Sequence, residues 1–469
     1  MADAYKAFIK SKARAAEAVG FDPGRDWPHL FPFQAALVTW ACTRGRAALF
    51  AGTGLGKTRM QLTWADEVRR EGVRRHQPNR VLILAPLAVA AQTTREAEAI
   101  GVEVVHDREG TSVAPIVVTN YEKIARFDLS KFSGVVLDES SILKAHDGKT
   151  RQLIIDAFGR TPYRLACTAT PAPNDHEELG NHAEFLGVMS RTEMLSTFFC
   201  HDGGETQVWR LKGHARNDFW RWMSSWGAMV RSPADLGFDD AAYSLPPLNL
   251  HEQVVTVDDK DARGEGFLFA MQARSLSDRR AARRMSLDAR VQAAADIANA
   301  SEEQCLVWCD MNAEGDALTK AIRGAVQVAG SDTADHKEDA MIGFSEGRVR
   351  VLVTKPSIAG FGMNWQRCHR MIFVGLSDSW EQYYQAIRRC WRFGQTSPVD
   401  VHVVTSHLEG AVVANIRRKE ADAKTMSDEM SAHTRDFVVA NVRGAARETT
   451  AYNPRKTMTV PAWIGQEAS

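Results

Sequence analysis

Short apolar runs recur along the chain, separated by amphipathic stretches of helical length. Residues 49–51, 81–85, 116–119, 135–137 and 164–167 form one set of runs, and 305–309, 326–328, 349–354, 371–374 and 399–404 form a second. Runs this short that do not alternate with polar residues read as parallel strands covered on both faces. Between them, stretches such as 92–100 and 313–323 carry helical period. Strand and helix in alternation, in two blocks, predict an α/β chain with two tandem doubly wound parallel sheets.

The texture differs between the blocks. Residues 190–240 carry Trp209, Trp220, Trp222 and Trp226, a spacing that suits a packed core, or a platform for stacked bases. Two prolines in 244–248 stiffen an extended hinge. The stretch 262–300 is helical and basic, with Arg274, Arg279, Arg280, Arg283, Arg284 and Arg290, and its apolar positions mark part of it as a packed face. These shifts divide the chain into a helical N-terminal extension (1–29), a first lobe (30–243), a hinge with a basic helical linker (244–300), a second lobe (301–445) and a C-terminal strap (446–469) anchored by Trp463.

At 469 residues the length suits about three domains, or two large ones. Hydrophobic residues make up 44% and charged residues 25%, which excludes a mostly disordered, fibrous or supercharged chain. Lys plus Arg and Asp plus Glu both number 58, so any affinity for a polyanion must come from a local basic stripe. The stripe is expected near Arg126 and along 274–290. Seven Cys suit a reducing cytoplasm. No apolar run approaches the ~18–20 residues of a membrane span, and the first twenty residues lack the apolar core of a signal peptide. A cytoplasmic location without membrane attachment is expected.

The strongest local chemistry is Ala51-Gly52-Thr53-Gly54-Leu55-Gly56-Lys57-Thr58, between a strand and a helix. Glycines 52, 54 and 56 let backbone N–H groups wrap phosphate oxygens, and the helix N-terminus adds its dipole. Lys57 reaches the β/γ-phosphates and Thr58 is placed to ligate Mg²⁺. The apolar run at 135–137 ends in Asp138-Glu139. Two carboxylates at a strand's C-terminal end point into the ligand crevice. Asp138 suits Mg²⁺ held through its water shell, and Glu139 suits orienting and deprotonating water. Ser140 and Ser141 follow with no His–Asp arrangement in view, so nucleophilic catalysis has little support. Cys305 and Cys309 read as core thiols, and Cys200-His201 with His214 makes a poor metal site.

With these motifs in place the chain resembles the superfamily-two helicases, and among them the Swi/Snf-type DNA translocases, over about residues 30–420. Alanine at 51 is the phosphate-loop variant such ATPases favour. Phe31-Pro32-Phe33-Gln34 looks like the glutamine motif that reads adenine. Ala85-Pro86 and Thr119-Asn120-Tyr121-Glu122 look like motifs that touch the tracking strand. Asp138-Glu139-Ser140-Ser141 resembles the DEAH-type box. Thr168-Ala169-Thr170-Pro171 resembles the motif coupling hydrolysis to lobe movement, and 174–186 resembles the Swi/Snf stretch that follows it. In the second block, Gly330-Ser331 and the run Ser357 to Asn364, with Gly362, look like later motifs. Gln385-Ala386-Ile387-Arg388-Arg389-Cys390-Trp391-Arg392-Phe393-Gly394-Gln395 looks like the sixth, with Trp391 and Phe393 where His and Ile are usual. The chain also looks like compact bacteriophage or prophage members of that type.

The resemblance implies two RecA-like lobes with an ATP cleft between them, ATP and Mg²⁺ as ligands, and double-stranded DNA as the track. It implies nucleotide contacts from Gln34, Gly52, Thr53, Gly54, Gly56, Lys57, Thr58, Gly362 and Gln385. Coupling falls to Thr168 and Thr170, and nucleic-acid contacts to Pro86, Thr119, Asn120, Tyr121, Gly330 and Ser357. Arg389 and Arg392 lie three apart, on one helix face, where guanidinium groups can neutralise charge on a γ-phosphate across a cleft. A DNA-dependent, monomeric ATPase is expected. The alternatives are an ATP-gated scaffold that recruits a nuclease or methyltransferase, and an RNA helicase.

Overall fold

The computed structural model describes residues 16–86, 89–144, 148–172, 176–202, 205–256, 283–359, 363–377 and 379–443. The first lobe opens with helix α1 (Pro32–Arg44), strand β1 (Arg46–Ala51) and helix α2 (Lys57–Arg74). Strands β2 (Arg80–Ala85), β3 (Val105–His106), β4 (Ile116–Asn120), β5 (Phe132–Asp138) and β6 (Tyr163–Cys167) follow. Beyond a hairpin of β7 (Phe199–Asp202) and β8 (Glu205–Leu211) comes β9 (Gly227–Val230). Seven of these strands form one sheet in the order β3-β4-β2-β5-β6-β1-β9, every pairing parallel. On one face lie α1, α2 and α3 (Ala90–Ala99), burying Leu37, Val38, Trp64 and Val68. The other face carries α4 (Lys149–Phe158), α5 (Leu179–Leu186), α6 (Arg191–Phe198) and α7 (Arg216–Ser224).

The tryptophans are core on that second face. Trp220, Trp222 and Trp226 are buried with Phe198 and Phe219, and Trp222 meets Trp226 at 5.3 Å between ring centroids. Trp209 stacks on His201 across the hairpin. This removes Trp220, Trp222 and Trp226 from any base-stacking platform.

The second lobe is a six-stranded parallel sheet, built from β10 (Leu248–Val255), β11 (Cys305–Cys309), β12 (Ala325–Val328), β13 (Val351–Thr354), β14 (Arg370–Val374) and β15 (Val399–Ser406). Its order is β10-β15-β14-β11-β13-β12. Its helices are α8 (Leu287–Asn299), α9 (Asn312–Ala321), α10 (Ala334–Glu346), α11 (Pro356–Ala359), α12 (Trp380–Ile387) and the 34-residue α13 (Gly410–Arg443). Cys305 and Cys309 are core, and burial pushes the Cys309 thiol up to about 12. The molecule is thus an α/β protein of two RecA-like lobes. No helix among the described residues is long and apolar enough to cross a membrane.

Several boundaries differ from the sequence pattern. Residues 16–29 hold no helix; the segment runs extended against the end of α1, with Val19, Gly20 and Phe21 donating to the carbonyls of Arg44, Thr43 and Cys42. The hinge prolines lead straight into β10, which pairs with β15 along its whole length, so the second sheet begins at 248. Helix α8 also packs on that sheet, inside the stretch expected to be linker. Arg283 and Arg290 do not form a phosphate-facing stripe. Arg290 is fully buried and pairs with Glu314 at 2.6 Å, and Arg283 pairs with Glu409 at 3.2 Å and with Asp310. Arg126 is paired with Glu109. Arg274, Arg279, Arg280, Gly362 and the strap at 446–469 with Trp463 lie outside the described residues.

A different strap joins the lobes. Helix α13 starts in the second lobe, where Val412 and Ile416 enter the core, and ends in the first, where Met430, Val438 and Val442 enter both core layers. Its far half is fixed by Arg216–Glu429 at 2.6 Å and Arg231–Asp428 at 2.5 Å. At about 1.5 Å per residue the helix is long enough to bridge two domains.

Candidate active site

The C-terminal ends of β1, β5 and β6 lie side by side in the first sheet, so the loops that leave them share one crevice. After β1 the chain turns through Gly54 and Gly56, at φ +89° and +78°, and enters α2 at Lys57. These left-handed conformations need glycine. The Lys57 ammonium donates to the carbonyl of Ala51 at 3.0 Å. Gln34 accepts from the Phe31 N–H at 3.0 Å and donates to the Leu55 carbonyl at 2.8 Å. Buried Gln34 therefore ties the start of α1 to the glycine loop, and each end of its amide keeps one further hydrogen-bonding position.

After β5 come Asp138 and Glu139. Asp138 is buried, and its carboxylate accepts from Gln61 at 2.7 Å. Burial and the adjacent Glu139 charge push its carboxyl up to about 6. Glu139 has φ +55°, one of two non-glycine residues with positive φ among those described. Such a conformation persists only where its surroundings hold it. Tyr121 donates its hydroxyl to the Asp138 carbonyl at 2.6 Å, and Thr168, after β6, donates to the Glu139 carboxylate at 3.4 Å. The Thr170 N–H in turn donates to the Thr168 hydroxyl at 3.1 Å.

Ser140 meets His182 of α5 at 3.1 Å, with both side chains fully buried. This partner, 42 residues along the chain, was not visible from the sequence. Burial lowers the imidazole to about 4, so it is neutral near pH 7. With no solvent access, the pair ties β5 to α5 and offers no nucleophile.

The second lobe closes the crevice. The Arg389 guanidinium donates to the carbonyl and side chain of Gln385, both at 3.0 Å, and to the Met363 carbonyl at 3.3 Å. Gln385 is thus a support for Arg389. Burial and the neighbouring Arg389 charge lower Arg392 to about 10, and its Nε lacks a hydrogen-bond partner among the described residues. Phe393 stacks on Tyr243 at 4.7 Å and sits so close to Gly54 that a Cβ there would meet its backbone nitrogen at 3.0 Å.

One cavity of about 420 Å³ is the result. The first lobe lines it with Gln34, Thr53, Gly54, Gly56, Lys57, Thr58, Asp138 and Glu139; the second supplies Arg389, Arg392 and Phe393. Asn364, the last residue of the run Ser357 to Asn364, also lines it, and sequence reasoning missed Tyr243, Gln92, Glu96 and Gln366 on its wall, none of which stands in a recognisable spacing. A second cavity, of about 460 Å³, lies behind the loop and is closed by α13; Thr53, Thr170, Trp380 and Arg388 line it.

The residues expected to touch a nucleic-acid strand separate into two groups. Thr119, Asn120 and Tyr121 are buried; Asn120 donates to the Ala85 carbonyl at 3.4 Å and Tyr121 to that of Asp138, so these two brace strand ends inside the first lobe. Gly330 and Ser357 are exposed at the ends of β12 and β13, and Pro86 is half-buried. Among the described residues no cluster of His, Cys, Asp and Glu has the makings of a metal centre of three or more such ligands.

A family model described as the helicase conserved C-terminal domain matches residues 289–394, from α8 to just past Arg392. No curated protein matches the chain. The second lobe thus carries a helicase-type domain, and the chain is helicase-like, of superfamily one or two and of the class of nucleic-acid motors.

Proposed function

We propose that the chain hydrolyses ATP between its lobes and uses the cycle of closure and release to track along double-stranded DNA. The observation that carries this is one interlobe cavity that gathers a phosphate loop and two carboxylates from one lobe and two arginines from the other. Its volume suits a nucleoside triphosphate. The buried carboxyl of Asp138, pushed up to about 6 beside Glu139, suits a divalent cation as its missing counter-charge.

In this reading the backbone from Gly52 to Thr58 and Lys57 bind the phosphates, and Thr58 and Asp138 hold Mg²⁺. The ion, when bound, neutralises β- and γ-phosphate charge. Glu139 orients the attacking water and takes its proton as the γ-phosphoryl group leaves ADP. Arg389 and Arg392 stabilise the charge spread over that group, so turnover requires the second lobe. Contacts to DNA run through its backbone and carry little base identity.

Steady-state ATPase with and without duplex DNA tests the proposal. DNA stimulation is expected, and no stimulation by any DNA or RNA sinks the motor reading. Lys57→Ala and Glu139→Gln should each lower turnover by about 10²–10⁴-fold, while Glu139→Gln retains ATP binding. A scaffold that closes on ATP without stepping is the second reading, favoured by the anchoring of α13 in both lobes. A motor displaces a triplex-forming strand with ATP, and a scaffold does not.

A further inference from the structure

A second interlobe contact lies beside the cleft and involves neither the phosphate loop nor the arginines. The turn Ser140–Lys144 begins directly after Glu139. Helix α5 grips this turn at both ends. His182 meets the Ser140 hydroxyl at 3.1 Å, and the Asn181 side chain donates to the carbonyls of Leu143 at 2.7 Å and Lys144 at 3.1 Å. With its first and last residues fixed, the turn moves as one piece, and Glu139 moves with it.

Lys144 then reaches across to the second lobe, where its ammonium pairs with the carboxylate of Glu381. Glu381 is buried, 8% exposed, and forms no other ion pair among the described residues. A buried carboxylate without a partner is costly, so this contact is selective for a cation at 144. Glu381 stands in the first turn of α12, and the same helix presents Gln385, whose carbonyl and side chain orient Arg389. One ion pair therefore joins the turn that carries Glu139 to the helix that carries the support of Arg389.

We propose that Lys144 and Glu381 are positioning residues. Their pairing sets the separation of Glu139 and Arg389 and holds the lobes in the closed register. The inference deepens the proposed ATPase reading and rests on it for its effect on turnover.

The test uses the full chain with Lys144→Glu, Glu381→Lys, the two combined, and Lys144→Arg. Two readouts are taken. The first is the kcat and KM for ATP. The second is the interlobe distance without nucleotide, by pulsed electron paramagnetic resonance between labels at Val113→Cys and Glu338→Cys, both exposed, in a Cys200→Ser background; the other six cysteines are buried. Each single reversal should lower kcat about tenfold with a much smaller change in KM, and should lengthen or broaden the interlobe distance. The combined swap should recover most of both, and Lys144→Arg should keep turnover that Lys144→Glu loses. Reversals that leave distance and kcat at wild-type values overturn the inference, as does a swap no better than the single variants. A wild type without ATP turnover sinks the hydrolase reading, and the distance measurement then decides the pair by itself.

Discussion

Arg392 is the most exposed to test of the residues in the cleft. It is buried next to another arginine, its Nε lacks a partner among the described residues, and it lines the cavity. Such a group is held at a cost until an anion arrives. Arg392→Ala should therefore lower kcat by about 10³-fold or more while ATP still binds the first lobe, as read by nucleotide titration beside steady-state kinetics. Arg389→Ala should do likewise, with a further loss of order in α12, because its guanidinium also holds Gln385 and Met363. His182 supplies a pH prediction. Its imidazole is lowered from 6.5 to about 4 by burial, so the neutral ring is favoured in the folded state. The associated stability is fully present above pH 6.5 and is lost as pH falls through 4, with a slope of about 1.4 kcal/mol per unit. Denaturant titrations from pH 7 to 4 should show that slope, and His182→Leu should flatten it.

At the level of elements, the ionic network under α8 gives a stability prediction. Arg290 and Glu314 are both fully buried, and Glu314 also accepts from the backbone of Asp310 and Met311 at 2.9 Å each. Arg290→Met removes one partner and leaves a buried charge, which should cost about 3–5 kcal/mol of second-lobe stability in urea unfolding. The central strands were legible because each is covered on both faces and so reads as an unbroken apolar run: 81–85 and 135–137 lie wholly inside β2 and β5. Of the edge strands, β12 was legible at 326–328, and β3, β9 and β10 were not. Strand β10 is largely exposed, carries the polar run His251–Gln253 behind two prolines, and owes its existence to β15, about 150 residues later. Strand β9 is only four residues long and follows a tryptophan helix, so it hides in that pattern. The phosphate loop and acid pair were legible because each is a continuous motif at a strand end. Tyr243 against Phe393, Ser140 against His182 and Lys144 against Glu381 were not, because each pairs residues far apart in sequence.

On the scale of the whole molecule, α13 decides how far the lobes can separate. Its two ends are packed in different lobes, and its middle, at Glu420, Ala423 and Lys424, passes over the 460 Å³ cavity. That space leaves room for the lobes to shift while both ends stay seated. Met430→Asp puts a carboxylate into the first-lobe core and should cost about 2–5 kcal/mol there, seen as a lower melting temperature and faster proteolysis of α13. If the strap limits excursion, the same variant should also widen the interlobe distance distribution.

The path of α13 also governs the order in which the protein can be made. The first lobe leaves the ribosome before the second, yet Met430, Val438 and Val442 complete its apolar layers. Those residues are synthesised after every strand of the second sheet. At about 5–20 residues per second the delay between β9 and Met430 is tens of seconds. Throughout that interval the first lobe displays an uncovered greasy seam. The lobe that starts folding first is thus the last to finish, and a nascent chain stalled after β15 should be a client for chaperones that bind exposed apolar surface.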